Sequence, residues 1–83
     1  MKVVHKHKID RMLMHLKVIC AKVIDFGVDP KGNLCVWTEQ GNNESVYLLQ
    51  VICTGQEIMP EYDHVASNRD GDFIWHLYAR KVP

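Results

Sequence analysis

Five histidines, three cysteines and several closely spaced acids are the side chains of this sequence that could do chemistry. His5 and His7 stand two apart, which puts both imidazoles on one face of a strand, a spacing that metal sites use. His15, His64 or His76 would have to complete a ligand set, and no carboxylate or thiolate stands at a recognisable ligand spacing beside the pair. Packing or surface imidazoles are the stronger reading. His7 fits a semi-buried row with Val3, His5 and Ile9, and His76, between Trp75 and Leu77, fits a ring at a sheet rim. No metal and no cofactor is assigned.

The other candidates are weaker. Cys20, Cys35 and Cys53 each lie among aliphatic neighbours, as small core hydrophobes in a reducing compartment do. No Cys-x-x-Cys pair is present, so zinc-knuckle and thioredoxin-type chemistry lack their signature. Ser45 and Ser67 have no Gly-x-Ser-x-Gly context and no oxyanion-hole glycines. Glu61 and Asp63, like Asp70 and Asp72, flank turns and fit solvation better than acid/base work. The five glycines are dispersed singly, with no phosphate-cradling run. No catalytic residue is assigned, and the expectation is a protein that is not an enzyme.

These residues must be positioned by strands, because apolar alternation with period two recurs along the whole chain. Val3, His5, His7 and Ile9 share one face, opposite Lys2, Val4, Lys6 and Lys8. Met12, Met14, Leu16 and Val18 then alternate with Arg11, Leu13, His15 and Lys17; helix formers compete here, but the alternation predicts a strand over 11–20. Ile24, Phe26 and Val28 form an apolar face opposite Val23 and Asp25. Asp29-Pro30-Lys31-Gly32-Asn33 is the clearest turn, joining Val23–Val28 to Leu34–Glu39 as a hairpin. Residues 45–53 are apolar on both faces, which predicts a central strand. Residues 58–67 read as irregular with one short strand, and Asn68-Arg69-Asp70-Gly71 as a turn. The strand after it presents Phe73, Trp75, Leu77 and Ala79 on one face and Ile74, His76, Tyr78 and Arg80 on the other. The expected fold is all-β: a small antiparallel β-sandwich or partly open barrel of six to seven short strands, in a single domain over 1–83. With 83 residues, 47% of them hydrophobic, the chain has room for one core. No apolar run reaches the roughly 18 residues of a membrane span, and no signal peptide is evident, so a cytoplasmic location is expected.

Charge is segregated along the chain although the total is zero. Residues 1–28 carry six cations against two acids, residues 29–72 two against eight, and Arg80 and Lys81 restore the balance. A folded sheet can interleave these segments and cancel the asymmetry in space. The sharper reading is a basic edge made by Lys2, Lys6, Lys8 and Arg11 with His5 and His7, offered to an acidic protein partner or to another copy. Nucleic acid ranks below protein as the partner, because exposed aromatics do not interleave with the basic residues.

Ala21-Lys22-Val23-Ile24, Gly32-Asn33-Leu34-Cys35-Val36-Trp37, Cys53-Thr54-Gly55-Gln56-Glu57-Ile58 and Phe73-Ile74-Trp75-His76-Leu77-Tyr78 together span most of the chain. In this series the sequence resembles a family of small phage and prophage proteins of unknown function that end on a Trp-His-Leu strand. Cys53 stands where that family has the first glycine of a Gly-Thr-Gly turn, and His7 where tyrosine is common. The resemblance implies a phage-encoded product of the bacterial cytoplasm with a compact β fold, and it brings no catalytic residues.

Three functions fit these features. The first is an accessory protein that binds and modulates a host protein, such as a defence or transcription component. The second is a minor virion or assembly component that packs by strand edges against copies of itself. The third is a sequestering protein for a small molecule such as a nucleotide, with Trp37, Trp75 or Tyr78 lining a mouth and His76 as its polar group.

Overall fold

The computed structural model describes residues 2–83 and holds seven strands and no helix among them. They are β1 (Val3–Lys8), β2 (His15–Cys20), β3 (Lys22–Val28), β4 (Leu34–Gln40), β5 (Ser45–Cys53), β6 (Asp63–Asp70) and β7 (Phe73–Val82). Two antiparallel sheets form, one in the order β1-β4-β3 and one in the order β2-β5-β7-β6. They pack face to face as an open sandwich rather than closing into a barrel. Its shortest extent, 19 Å, fits two sheets about 10 Å apart with their outer side chains.

The alternation explains which side chains fill the space between the sheets. Leu34 and Val36 of β4, Val18 and Cys20 of β2, Leu49 and Val51 of β5, and Trp75 and Leu77 of β7 are all buried in one cluster. β5 lies between β2 and β7, as its two apolar faces predict. β1 follows the same period, but its burial fades outward. Ile9, just past its end, is 5% exposed, His7 is half-buried, and His5 and Val3 are exposed. β1 overhangs the opposite sheet.

Three local readings need correction. The strand expected over 11–20 begins only at His15, because residues 10–14 fold into a tight turn. Asp10 O accepts from Met14 N at 2.8 Å, Asp10 Oδ1 accepts from Met12 N at 2.8 Å, and Met14 takes φ 59°. The alternation ran on through it by coincidence of residue type. In β3 a bulge between Val23 and Asp25 inserts an extra residue into the ladder. Val23 therefore joins Phe26 on the core side, while Ile24, expected inside, is 43% exposed. Finally, β6 is a full eight-residue strand that absorbs Asn68, Arg69 and Asp70, leaving Gly71-Asp72 as the turn to β7.

The hairpin between β3 and β4 forms on the expected residues. Asp29 N donates to Asn33 O and Gly32 N donates to Asp29 O, both at 2.9 Å. Gly32 has φ 84°, and a Cβ built on it would meet nothing within 4 Å. The cost of a side chain there is backbone strain alone. Gly32→Val should lower stability by about 1–2 kcal/mol, read from a thermal melt. An unchanged melt would contradict the left-handed geometry of this turn.

Candidate functional site

Two places on the molecule gather side chains with chemical potential. The first is β1. It pairs only with β4, so its outer N–H and C=O groups have no ladder partner. Val3 and Val4 are 44% and 57% exposed, and Lys2 and Lys8 make no ion pair among the described residues.

The remaining members of the expected basic edge are committed elsewhere. Lys6 Nζ donates to Asp29 Oδ2 at 2.9 Å, and the Asp29 side chain is only 2% exposed. The same carboxylate accepts from the backbone N–H of Asn33 (2.8 Å) and Lys31 (3.0 Å) and from the Asn33 side chain (3.3 Å). Lys6, then the Asn33 N–H, hold the Asp29 carboxyl far below the usual carboxylate range; the same contact raises the Lys6 ammonium. Cys35 lies against this cluster, its thiol pushed up by burial and by the Asp29 charge.

His7 turns inward. Its Nε2 lies 2.9 Å from Thr38 Oγ1, and Thr38, fully buried, donates to Gln40 Oε1 at 2.6 Å. Since the hydroxyl proton is used, His7 donates Nε2–H to it. Burial, and secondarily the neighbouring His5, lower the His7 pKa. Arg11 leaves the edge for one end of the sandwich. There it donates to Gly32 O (2.9 Å) and Asp70 Oδ2 (3.2 Å), and its guanidinium lies 5.9 Å from the Trp75 ring centroid. The edge thus keeps Lys2, Lys8 and His5 of the six residues expected there.

The second place is the outer face of the four-stranded sheet. Register sets Ser67 of β6 opposite His76 of β7, and His64 opposite Tyr78. Ser67 Oγ lies 2.8 Å from His64 Nε2 and 2.7 Å from His76 Nδ1, while His76 Nε2 lies 3.2 Å from Thr54 Oγ1. Two proton assignments satisfy every contact: the protons run from His64 Nε2–H through Ser67 to His76 Nδ1 with His76 Nε2–H donating to Thr54, or the whole chain is reversed. The His64 ring also meets Tyr78 edge-on at 5.3 Å. This row was not read from sequence, where Ser67 was set aside for want of a glycine motif. It depends on the irregularity between His64 and Ala66, which shifts the register of β6.

Of the expected small-molecule mouth, only His76 and Tyr78 come together. They line a cleft of about 220 Å³ with Thr54, Gly55, Gln56 and Ile58. That is below the roughly 300 Å³ at which drug-sized ligand pockets begin. Trp75 is in the core at 8% exposure with its Nε1 unpartnered, and Trp37 is half-buried on the far side, on the outer face of β4. A larger, open cleft of about 510 Å³ borders β5, lined by Met12, Leu13, Gln50 and Glu57 among others. Sequence reasoning missed it because it exists only where the turn at 10–14 meets β5.

All three cysteines are free; Cys20 and Cys35 are buried and Cys53 is half-buried. No group of three or more His, Cys, Asp or Glu side chains among the described residues could hold a metal ion. No helix of the described residues is long and apolar enough to cross a membrane.

These features define a small seven-stranded antiparallel sandwich with an open basic edge and a hydroxyl–imidazole row on one face. The chain belongs to the family described as Domain of unknown function (DUF7352), whose model matches residues 1–83. No curated protein and no solved structure matches it.

Proposed function

We propose that this chain is a non-enzymatic binding protein, phage-encoded and working in the bacterial cytoplasm. It engages a host protein, of the defence or transcription machinery, through the edge of β1. The observation that supports this reading is the combination, on β1 and the residue before it, of unpaired backbone groups, exposed Val3 and Val4, and Lys2 and Lys8, which make no ion pair among the described residues. An extended acidic segment of the partner can add to the sheet there. Its main chain supplies the hydrogen bonds, the valines apolar contact, and the lysines steering and register. Lysines on an outer strand also block unwanted pairing, so the test must separate attraction from protection.

Lys6 is the wrong residue for that test, because it is tied to Asp29. Lys2→Glu with Lys8→Glu should leave the melt nearly unchanged and weaken association at least about tenfold, or ~1.4 kcal/mol. The measurement is a pull-down from bacterial lysate, parent beside double variant, at low and high salt. Salt should weaken the parent's association and affect the variant's less. Equal retention of the same partner by both proteins would place the contact elsewhere. Self-association is the second reading, favoured by the sheet edges β1 and β2, whereas the edges β3 and β6 lie against each other. Sedimentation of the purified parent alone distinguishes it, since assembly then needs no host component.

A further inference from the structure

We propose that His64 and His76 form a bidentate imidazole site for a late first-row divalent metal ion, with Cu²⁺ the tightest binder. The two rings aim different nitrogens, His64 Nε2 and His76 Nδ1, at a single point now filled by the Ser67 hydroxyl, 2.8 and 2.7 Å away. Metal–imidazole bonds are about 2.0–2.1 Å, so each nitrogen has to advance by about 0.7 Å to meet an ion at that point. His64 is exposed and His76 half-buried on the outer sheet face, away from the cluster between the sheets, so such a movement disturbs no core packing.

In either direction of the proton chain, one of the two ring nitrogens facing Ser67 carries a lone pair and the other need only pass its ring proton to its distal nitrogen. On His76 that distal nitrogen lies 3.2 Å from Thr54 Oγ1, which then accepts its N–H in the way the distal nitrogen of a ligating histidine is held. The edge contact with Tyr78 holds the plane of His64. Two imidazoles, with water completing the shell once the Ser67 hydroxyl has turned away from the point, suit copper and zinc, and the affinity order for such ligands peaks at copper.

The other histidine pair does not offer this. His5 and His7 have the same ring separation, 6.4 Å. However, His7 Nε2 meets the buried Thr38 hydroxyl, and among the described residues no group hydrogen-bonds to both rings as Ser67 does to His64 and His76. The site at His64 and His76 is separate from the β1 edge, so neither proposal depends on the other.

The experiment is a calorimetric titration of the untagged full chain with Cu²⁺ and with Zn²⁺, followed by NMR of the histidine ring protons. One equivalent of Cu²⁺ should bind more tightly than Zn²⁺ and broaden the His64 and His76 signals selectively. His64→Ala and His76→Ala should each weaken binding at least tenfold while keeping the parent's melt. Thr54→Ala should weaken it by a smaller factor, and Ser67→Ala should retain it, because the hydroxyl is only the occupant of the point. Ser67→His should tighten it by adding a third imidazole at the point of convergence. His5→Ala should change nothing. Absence of Cu²⁺ binding, binding unaffected by His64→Ala and His76→Ala, or loss of binding with His5→Ala would each overturn the assignment.

Discussion

Asp29→Ala is expected to melt roughly 10 °C or more below the parent chain, although the substitution is in a turn. The reason is the number of donors that the buried carboxylate serves. Two backbone N–H groups, the Asn33 amide and the Lys6 ammonium all converge on it. Alanine leaves those donors without an acceptor and removes the side-chain tie between β1 and the β3–β4 turn, leaving only the β1–β4 ladder. Asp29→Asn keeps an acceptor but loses the attraction to Lys6, and should fall between parent and alanine variant. The pH dependence follows from linkage. Because the folded state holds this carboxyl below its ordinary value, its contribution is fully present above the unfolded aspartate pKa of about 4. It is lost as the pH falls through that value toward the folded one. Melts of the parent from neutral pH down to about pH 3 should therefore show a loss of stability that Asp29→Asn lacks in part. Identical acid profiles for the two proteins would mean that the carboxylate is not the stabilising element.

Leu77→Ala should cost about 2–5 kcal/mol. Leu77 is fully buried on β7, which lies between β5 and β6, and belongs to the cluster shared by both sheets. A domain of this size has a small reserve, with total stabilities of about 5–15 kcal/mol being usual for larger ones. The variant should thus be substantially closer to unfolding at growth temperature. Urea denaturation checks it: the midpoint should drop with the slope unchanged. A loss under about 1 kcal/mol would be incompatible with Leu77 filling a core position from which no collapse can relieve the cavity.

The parts of the fold that were legible in sequence are those set by local chemistry. Alternation placed Trp75 and Leu77 inside and His76 and Tyr78 outside, and the Asp-Pro-x-Gly turn defined the β3–β4 hairpin. What escaped were features that change the period without changing composition. The bulge at Val23–Asp25 exchanges Ile24 for Val23 in the core, and nothing in those residue types announces it. Between β2 and β3 only Ala21 intervenes, so the apolar pattern runs on while the chain passes from one sheet to the other. The site residues follow the same rule. That Lys6 sits on an edge strand was readable; that it meets Asp29, 23 positions away, was not. Ser67 meets His64 and His76 only because β6 is irregular at that point. Pairings of this kind are decided by register, which a single sequence specifies only through the fold as a whole.

The position of β7 has a consequence for synthesis on the ribosome. β5 and β6 do not pair with each other; β7, translated after both, is the strand that joins them and the only ladder partner of β6. A nascent chain that has reached residue 70 can close the β3–β4 hairpin and add β1 to it, and can pair β2 with β5. It has no ladder for β6 and lacks Trp75 and Leu77 from its interior. Cooperative folding must therefore wait until the Phe73–Val82 segment has cleared the exit tunnel, and a ribosome stalled before it holds a chain with an open sheet and an unfilled core.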